Sequence, residues 1–268
     1  MTTFYNEFDP FAARWLRNLS QAGEITKGVV DERDFRELKP EDVEGYEQCH
    51  FFAGIGGWSE ALRRARFPVG VRLWTASLPC TPFSLAGNRL GVQDERHLWP
   101  SFAKLVDQCK PTVVFGEQTS SPLGRSWLDG VRSEMEAMGY EVGAADLCAG
   151  SLNSPHRRSR LFWVAYSKSA WRCEREQMEE GQPEEFRGPG KIFGDWDVFS
   201  RFGDKRIGTG VRAMAHGLQR SLGPVKPELQ GMVSDARSNL KGRLKGYGNA
   251  IVPQVAAEFI MAFKEAVA

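Results

Sequence analysis

Residues 49–67 read CHFFAGIGGWSEALRRARF and are the most informative part of the sequence for the fold. A short apolar run ends in glycines, and a segment with helical spacing of its apolar residues follows at once. Glycines let a chain turn tightly and approach a ligand, and the N-terminus of the next helix favours anionic groups. The stretch predicts a strand, a turn and a helix. The turn could hold a nucleotide-like ligand or could only pack the strand against the helix.

The composition places the chain among ordinary globular proteins. It has 268 residues, of which 41% are hydrophobic and 26% charged, so one large or two modest domains are expected. No apolar run is long enough for a membrane helix, and the start MTTFYNEFDP lacks a signal-peptide pattern. Five scattered cysteines and four histidines show no metal-ligand spacing. We therefore expect a cytoplasmic protein without a membrane anchor or a metal.

The remaining pattern alternates strands with helices. Strand-like runs occur at 28–35, 71–77, 112–117 and 160–166, and helical runs at 11–22, 97–109 and 124–138. A closing helix is marked by Val255, Phe259, Ile260 and Phe263. Pro40 and Gly45 predict a turn. The alternation predicts an α/β fold with a mostly parallel sheet, whose ligand lies at the carboxyl ends of the strands.

The motif PCTPFS at 79–84 contains the first candidate for chemistry. Cys80 lies between Pro79 and Pro82, just after a predicted strand. Because proline fixes φ, this loop should be stiff and hold the thiol in one place, as a nucleophile requires. The alternative is a small buried cysteine that only packs.

Two further motifs supply ionisable groups. Glu117, in GEQ at 116–118, ends another predicted strand, where a carboxyl group could exchange a proton. PHRRSR at 155–160 groups Arg158 and Arg160, which suit a phosphate or an adjacent acid. The alternatives are an ordinary surface glutamate and a solvated basic turn.

Taken in order, FxGxGG, PCxxFS, the strand-ending Glu117, PxxRxRLFWV and GYGNAIVP at 246–253 resemble the cytosine-C5 DNA methyltransferase family. The resemblance implies a Rossmann-like S-adenosylmethionine-dependent methyltransferase domain and a small irregular target-recognition region. It also implies methyl transfer to C5 of a cytosine in double-stranded DNA by a monomer. The expected setting is restriction–modification or a related phage function, in the cytoplasm of a bacterial host or a phage-infected cell.

The same resemblance assigns roles to the reactive groups. Cys80 matches the nucleophile that attacks C6 of a cytosine rotated out of the duplex, because a base cannot be reached inside the stack. Glu117 matches the acid that bonds the ring edge of that cytosine. Arg158 and Arg160 match the arginines that hold the base and the active-site loop.

Cofactor positions follow in the same way. The methionine end of the cofactor site matches four residues, Phe52, Gly54, Gly56 and Gly57. Pro79 and Ser84 match the positions that flank the nucleophile, beside cofactor and substrate respectively. Asn249 matches an amide near the cofactor in the C-terminal block.

The blocks stand in an unusual order. Only 23 positions separate Gly57 from Cys80 (80 − 57), too few for the two acidic cofactor blocks that the family places there. Residues 6–19 and 30–43 are similar to those blocks, so we expect a circularly permuted arrangement that runs two, three, one, four. Glu7 would then hold the ribose hydroxyls, Phe8 would lie against adenine, and Asp31 would accept from the adenine amino group. The alternative is an acidic cap unrelated to the cofactor.

We predict a catalytic domain from 1–167 and 244–268 and a target-recognition region at 168–243. Residues 1–48 carry 11 acidic and 6 basic side chains (6 − 11 = −5), and residues 200–247 carry 10 basic and 3 acidic ones (10 − 3 = +7). The net charge of +1 is thus a sum over two unlike segments. The basic residues expected to track DNA phosphates are Lys205, Arg206, Arg212, Arg220, Lys226, Arg237, Lys241 and Arg243.

Two other functions stay open at this point. One keeps the chemistry but moves it to cytosine in RNA. The other is a nucleic-acid-binding protein of the same fold without catalysis, which Cys80, Glu117 and the two arginines argue against. Covalent trapping on a 5-fluorocytosine substrate separates the three.

Overall fold

Seven strands form one sheet in the order β2-β1-β3-β4-β5-β7-β6. The structure, a computed structural model, describes residues 3–79, 98–152, 158–179, 246 and 248–267. The strands are β1 (Thr3–Asn6), β2 (Gly28–Asp31), β3 (Gln48–Phe51), β4 (Leu73–Ala76), β5 (Val113–Thr119), β6 (Glu141–Cys148) and β7 (Ser159–Tyr166).

Strands β1 to β5 are parallel to one another, and β7 runs antiparallel to both β5 and β6. The prediction of a mostly parallel α/β sheet is therefore confirmed. β6 was not predicted from the sequence. Its residues, EVGAADLC, are mostly small or polar, and none of them is fully buried, so it lacks the apolar run of the central strands.

Seven helices accompany the sheet in the described part of the chain: α1 (Pro10–Ala22), α2 (Pro40–Val43), α3 (Gly57–Arg64), α4 (Trp99–Cys109), α5 (Pro122–Ala137), α6 (Lys168–Glu179) and α7 (Pro253–Ala266). The predicted turn at Pro40 is instead the start of α2, because proline is favoured in the first turn of a helix. Gly45, with φ 79°, makes the turn that follows. The strand predicted at 28–35 ends at Asp31, and a short 3₁₀ helix begins at Phe35.

Two apolar layers cover the sheet. On the first face, which we call face A, β-strand residues such as Phe115 contact α3 and α7, and Tyr5 packs with α1. On face B, residues such as Trp74 pack with α2, α4 and α5. The predicted closing helix is confirmed as α7, whose buried side includes all four residues that marked it in the sequence.

The crossover connections differ in hand. The connection β1–α1–β2 runs towards the β2 edge of the sheet over face A. The connections β2–α2–β3 and β4–α4–β5 run in the opposite direction over face B. Because reversing both the direction and the face preserves the hand, these three connections share one hand. β3–α3–β4 runs away from the β2 edge over face A and has the opposite hand. Because about 98% of such crossovers are right-handed, β3–α3–β4 is the left-handed exception.

The predicted boundary near residue 168 falls at the start of α6. Trp171 of this helix is buried against Phe67 and Phe263, so the first turn after the boundary packs on the same core as α7. The division into two regions remains a prediction. No helix in the described ranges is long and apolar enough to cross a membrane.

Candidate active site

A cavity of about 360 Å³ lies where the carboxyl ends of the central parallel strands meet. Glu7 follows β1, Phe52 follows β3, Ser77 follows β4, and Glu117 lies near the end of β5. Eight residues predicted for the site line this cavity: Glu7, Phe52, Gly54, Pro79, Glu117, Arg158, Arg160 and Asn249. The fold thus brings together positions that are up to 242 residues apart (249 − 7).

Other predicted residues have different surroundings. Phe8 and Asp31 are not in the cavity wall; Phe8 is 67% exposed, and Asp31 forms an ion pair with Arg33. Gly56 and Gly57 form the cap and first residue of α3 rather than the wall. Cys80 and Ser84 lie outside the described residues, although Pro79, the residue before Cys80, is in the wall.

The glycine turn has the unusual backbone that its sequence predicts. Gly54 and Gly56 have positive φ, 57° and 83°, and the turn begins at Phe52, whose φ is 53°. A non-glycine residue in this region is strained, and such strain is often found at functional sites. A Cβ at Gly57 would lie 2.7 Å from Ile251, so only glycine lets the C-terminal segment pack here.

The Glu7 carboxylate is fixed by main-chain donors. One oxygen, Oε2, accepts from the Gly54 N–H at 2.7 Å, and Oε1 accepts from the Asp9 N–H at 2.9 Å. The first bond joins residues 1–48, which we call the front segment, to the glycine turn, and its two residues are 47 positions apart in sequence. Asp9 in turn caps α1 by accepting from the Phe11 and Ala12 N–H groups. The carboxylate is therefore held in one orientation at the wall.

Glu117 has a different environment. Its side chain is buried, and its closest charged neighbour is Arg160, whose Nε lies 2.7 Å from Oε1. The N–H is not aligned on that oxygen, which has no hydrogen-bond partner among the described residues. Burial raises the pKa of the Glu117 carboxyl group, and Arg160 and Arg158 offset part of that rise. Such a carboxyl group is prepared to share a proton with a ligand.

The position of Glu117 depends on the glycine before it. A Cβ at Gly116 would lie 2.1 Å from the indole of Trp163 in the neighbouring strand β7, so no other residue fits this point. The Trp163 ring is fully buried in the face B core. The strand end that carries Glu117 is thereby held against a rigid aromatic wall.

Arg158 joins the β7 side of the cavity to the C-terminal segment. Its two terminal nitrogens donate to the carbonyls of Gly248 and Ala250, both at 3.0 Å. These carbonyls flank Asn249, which lies in the cavity wall. Burial lowers the pKa of Arg158 to about 10, and its buried Nε has no hydrogen-bond partner in the described part of the chain. The contacts of Arg158 are thus those of a residue that positions the segment around Asn249.

Sequence reasoning missed several wall residues. Asp9, Phe11, Ser77, Gln118 and Thr119 also line the cavity. Asp9 could have been found, because an aspartate followed by proline is a typical helix start. The others have no local signal, since only the strand order places them together. Among the described residues, no group of three or more His, Cys, Asp or Glu side chains could hold a metal ion.

Comparison with known proteins gives one family. Residues 67–193 match the model of the C-5 cytosine-specific DNA methylases. The chain is 31% identical over 106 residues to the type II methyltransferase M.CviJI of Paramecium bursaria Chlorella virus IL3A. It is 30% identical over 95 residues to M.HhaI of Haemophilus parahaemolyticus. These alignments cover 39% and 34% of this chain, and the chain spans only 29% of each relative.

A solved structure agrees in fold. The Dnmt2 methyltransferase of S. pombe superposes with a TM-score of 0.53 at 14% identity, over 99% of both chains. At this identity the likeness shows the shared architecture alone.

Proposed function

We propose that the chain transfers a methyl group from S-adenosylmethionine to C5 of a cytosine in double-stranded DNA, because residues 67–193 match the model of the C-5 cytosine-specific DNA methylases. The observation that carries the proposal is the environment of Glu117. This buried carboxyl group lies beside Arg160, in a cavity whose wall also contains Arg158 and Pro79, the neighbour of Cys80. A base that enters the cavity would meet all of these groups.

The base would be bound by its hydrogen-bonding edge. Arg158 Nε is a buried donor without a hydrogen-bond partner in the described residues, and Glu117 Oε1 has only the ion pair with Arg160 Nε at 2.7 Å. A pyrimidine edge offers both donors and acceptors, and a ligand that pairs a buried polar atom without a partner gains affinity. Entry of the base into this cavity requires that it leave the DNA stack.

The reaction at the base starts from Cys80. Its thiolate attacks C6, which makes C5 nucleophilic, and Glu117 in its protonated form stabilises the charge that develops on the ring. After C5 has taken up the methyl group, the C5 proton is lost and the thiolate is eliminated, so the cysteine is regenerated. S-adenosylmethionine, when bound, supplies the methyl group on a sulfonium sulfur.

The cofactor would be held by the front of the chain and the glycine turn. Glu7 presents a carboxylate whose orientation two main-chain bonds fix, and carboxylate oxygens accept hydrogen bonds from ribose hydroxyls. Gly54 leaves open space, since a Cβ there would meet no atom within 4 Å. Phe8 offers an exposed ring for the adenine, Asp31 ends the neighbouring strand, and Asn249 completes the wall on the C-terminal side.

The block order of the cofactor half is part of the proposal. Relinking α3 to β1 would make a connection that runs towards the β2 edge over face A, with the same hand as the other three. The left-handed β3–α3–β4 connection is what remains when blocks two and three precede block one. The family match also begins at residue 67, after the glycine turn. Both observations favour a rearrangement confined to the first three blocks.

The target sequence would be read by the region at 168–243, whose basic residues supply phosphate contacts. Most of that region lies outside the described residues. The decisive experiment uses labelled S-adenosylmethionine with duplex DNA of random sequence and with RNA, followed by sequencing of modified sites. We expect 5-methylcytosine in DNA at a short fixed sequence. Label in RNA alone would favour the RNA activity, and no label in either would favour a binding protein.

A further inference from the structure

We propose that Arg33 competes with the cofactor for the Asp31 carboxylate and that Asp42 receives Arg33 when the cofactor binds. This inference rests on the proposed cofactor site, where Asp31 would accept from the adenine amino group. It assigns a positioning role to two residues, Arg33 and Asp42, that lie outside the cavity wall.

Hydrogen bonds from Arg33 already occupy the acceptor sites of the Asp31 carboxylate. Oδ1 accepts from the Arg33 main-chain N–H at 2.8 Å and from Nε at 3.2 Å. Oδ2 accepts from Nε at 3.0 Å and from Nη2 at 2.6 Å. A carboxylate has about four acceptor sites, so an adenine amino group can bond here only if the arginine side chain gives one up.

Asp42 provides an alternative partner for that arginine. Arg33 Nη2 also donates to Asp42 Oδ1 at 2.8 Å, so one guanidinium already bridges the two carboxylates. The Arg33 hydrogen bond is the main reason that the pKa of Asp42 is lowered. Asp42 is itself fixed at the start of α2, where its Oδ2 accepts from the Lys39 N–H at 2.9 Å. Arg33 can therefore leave Asp31 without losing its ion pair.

The Arg33 side chain and its two carboxylate partners, Asp31 and Asp42, lie directly beside the proposed ribose site. Asp31 and Asn6 are opposite each other in the β1–β2 register, and the Glu7 N–H donates to the Asp31 carbonyl at 3.0 Å. The Asn6 amide donates to the Arg33 carbonyl at 2.9 Å, which holds the main chain of this loop in place. Movement is thus restricted to the Arg33 side chain, which is 43% exposed.

The test is a double-mutant cycle read by calorimetric titration of S-adenosylhomocysteine into the full chain. D42N keeps an oxygen for the Lys39 N–H but weakens the alternative partner, so affinity should fall about three- to fivefold, as expected for one partly exposed ion pair. R33Q removes the competitor and should raise affinity by a similar factor. R33Q/D42N should match R33Q, because Asp42 matters only through Arg33.

Two controls separate this role from a general effect on the loop. R36Q removes a neighbouring arginine whose ion pair is with Asp34, and it should leave affinity unchanged. S-inosylhomocysteine lacks the 6-amino donor, so D42N and R33Q should alter its binding much less.

Equal losses in D42N and R33Q, or additive effects in the double variant, would overturn the competition while leaving the cofactor site intact. Absence of binding to the unchanged chain would overturn the cofactor site, and this inference with it.

Discussion

Glu7 and Glu117 line the same cavity, but their surroundings are opposite in kind. Glu7 accepts from two main-chain N–H groups, one on each oxygen, and so is held in one orientation. Glu117 is buried beside Arg160, with an oxygen that has no aligned donor in the described structure and a raised pKa. The first environment suits a fixed acceptor, and the second suits a group that exchanges a proton. Two carboxylates on one wall can thus serve two halves of a reaction.

The difference has a structural origin. Glu7 follows a short strand and precedes a helix cap, so main-chain N–H groups are close to its side chain. Glu117 lies inside the seven-residue strand β5, where the main-chain groups pair with β7 and the side chain must find other partners. If this comparison is correct, substitutions at the two positions should damage different steps.

The largest effect is expected for E117Q. Glutamine keeps the shape but cannot give a proton, so the rate of methyl transfer should fall about 10²- to 10⁴-fold. S-adenosylhomocysteine affinity should change little, because Glu117 is proposed to contact the base and not the cofactor. Single-turnover methyl transfer and calorimetry measure the two effects, and E136Q, an exposed position in α5, is the matched control. A loss of cofactor affinity equal to the loss of rate would show that Glu117 and Glu7 do not have separate roles.

E7A should show the reverse pattern. Removing an acceptor for the ribose hydroxyls is expected to weaken S-adenosylhomocysteine binding about 10- to 100-fold, the range for hydrogen bonds to a charged group. The rate at saturating cofactor should fall much less. E44A removes the same charge from an exposed position of the front segment and should have no effect. Unchanged affinity in E7A would contradict the proposed block order.

A smaller effect is expected for R158K. Lysine retains the charge but cannot donate from two planar nitrogens to the Gly248 and Ala250 carbonyls at once. The segment around Asn249 should loosen, and the KM for S-adenosylmethionine should rise about three- to tenfold, with kcat less affected. R125K, at an exposed ion pair, serves as the control. A fall in kcat without a change in KM would show that Arg158 acts on the base alone and does not hold the segment around Asn249.

The pKa of Glu117 gives the finest test. Difference infrared titration of the unchanged chain against E117Q should show a carboxyl group that keeps its proton above the usual glutamate range of about 4.3. Since Arg160 lowers this pKa, R160Q should raise it further. As the proton is needed for the reaction, methyl transfer should weaken as the pH rises through this pKa. A titration below the ordinary range would show that the ion pair, not burial, controls the group.

The sequence predicted more of the residues that line the cavity than of the secondary-structure elements around them. The glycine turn, Glu117 and the two arginines stand at the ends of apolar strands, so the parallel sheet collects them without further information. β6 could not be predicted, because its small residues are ordered by pairing with β7 and not by an apolar face of their own.

The ion pair that Arg33 forms with Asp31 could not be predicted from the sequence either. Arg33 is only two positions away from Asp31, but its second partner, Asp42, depends on how α2 is placed beside the loop. The role of Arg158 has the same origin, since its carbonyl partners are 90 and 92 positions further along the chain. The sequence pattern therefore identifies candidate site residues, and the tertiary contacts determine which of their polar atoms already have hydrogen-bond partners.

The most direct test of the central claim is covalent trapping through Cys80. Duplex DNA that carries 5-fluorocytosine at the methylated site is incubated with the chain and S-adenosylmethionine, and the adduct is located by peptide mass spectrometry. Fluorine at C5 cannot leave as a proton does, so we expect a stable protein–DNA adduct at Cys80 and none in C80S. Binding of the duplex without any adduct, or an adduct at another residue, would contradict methyl transfer through Cys80.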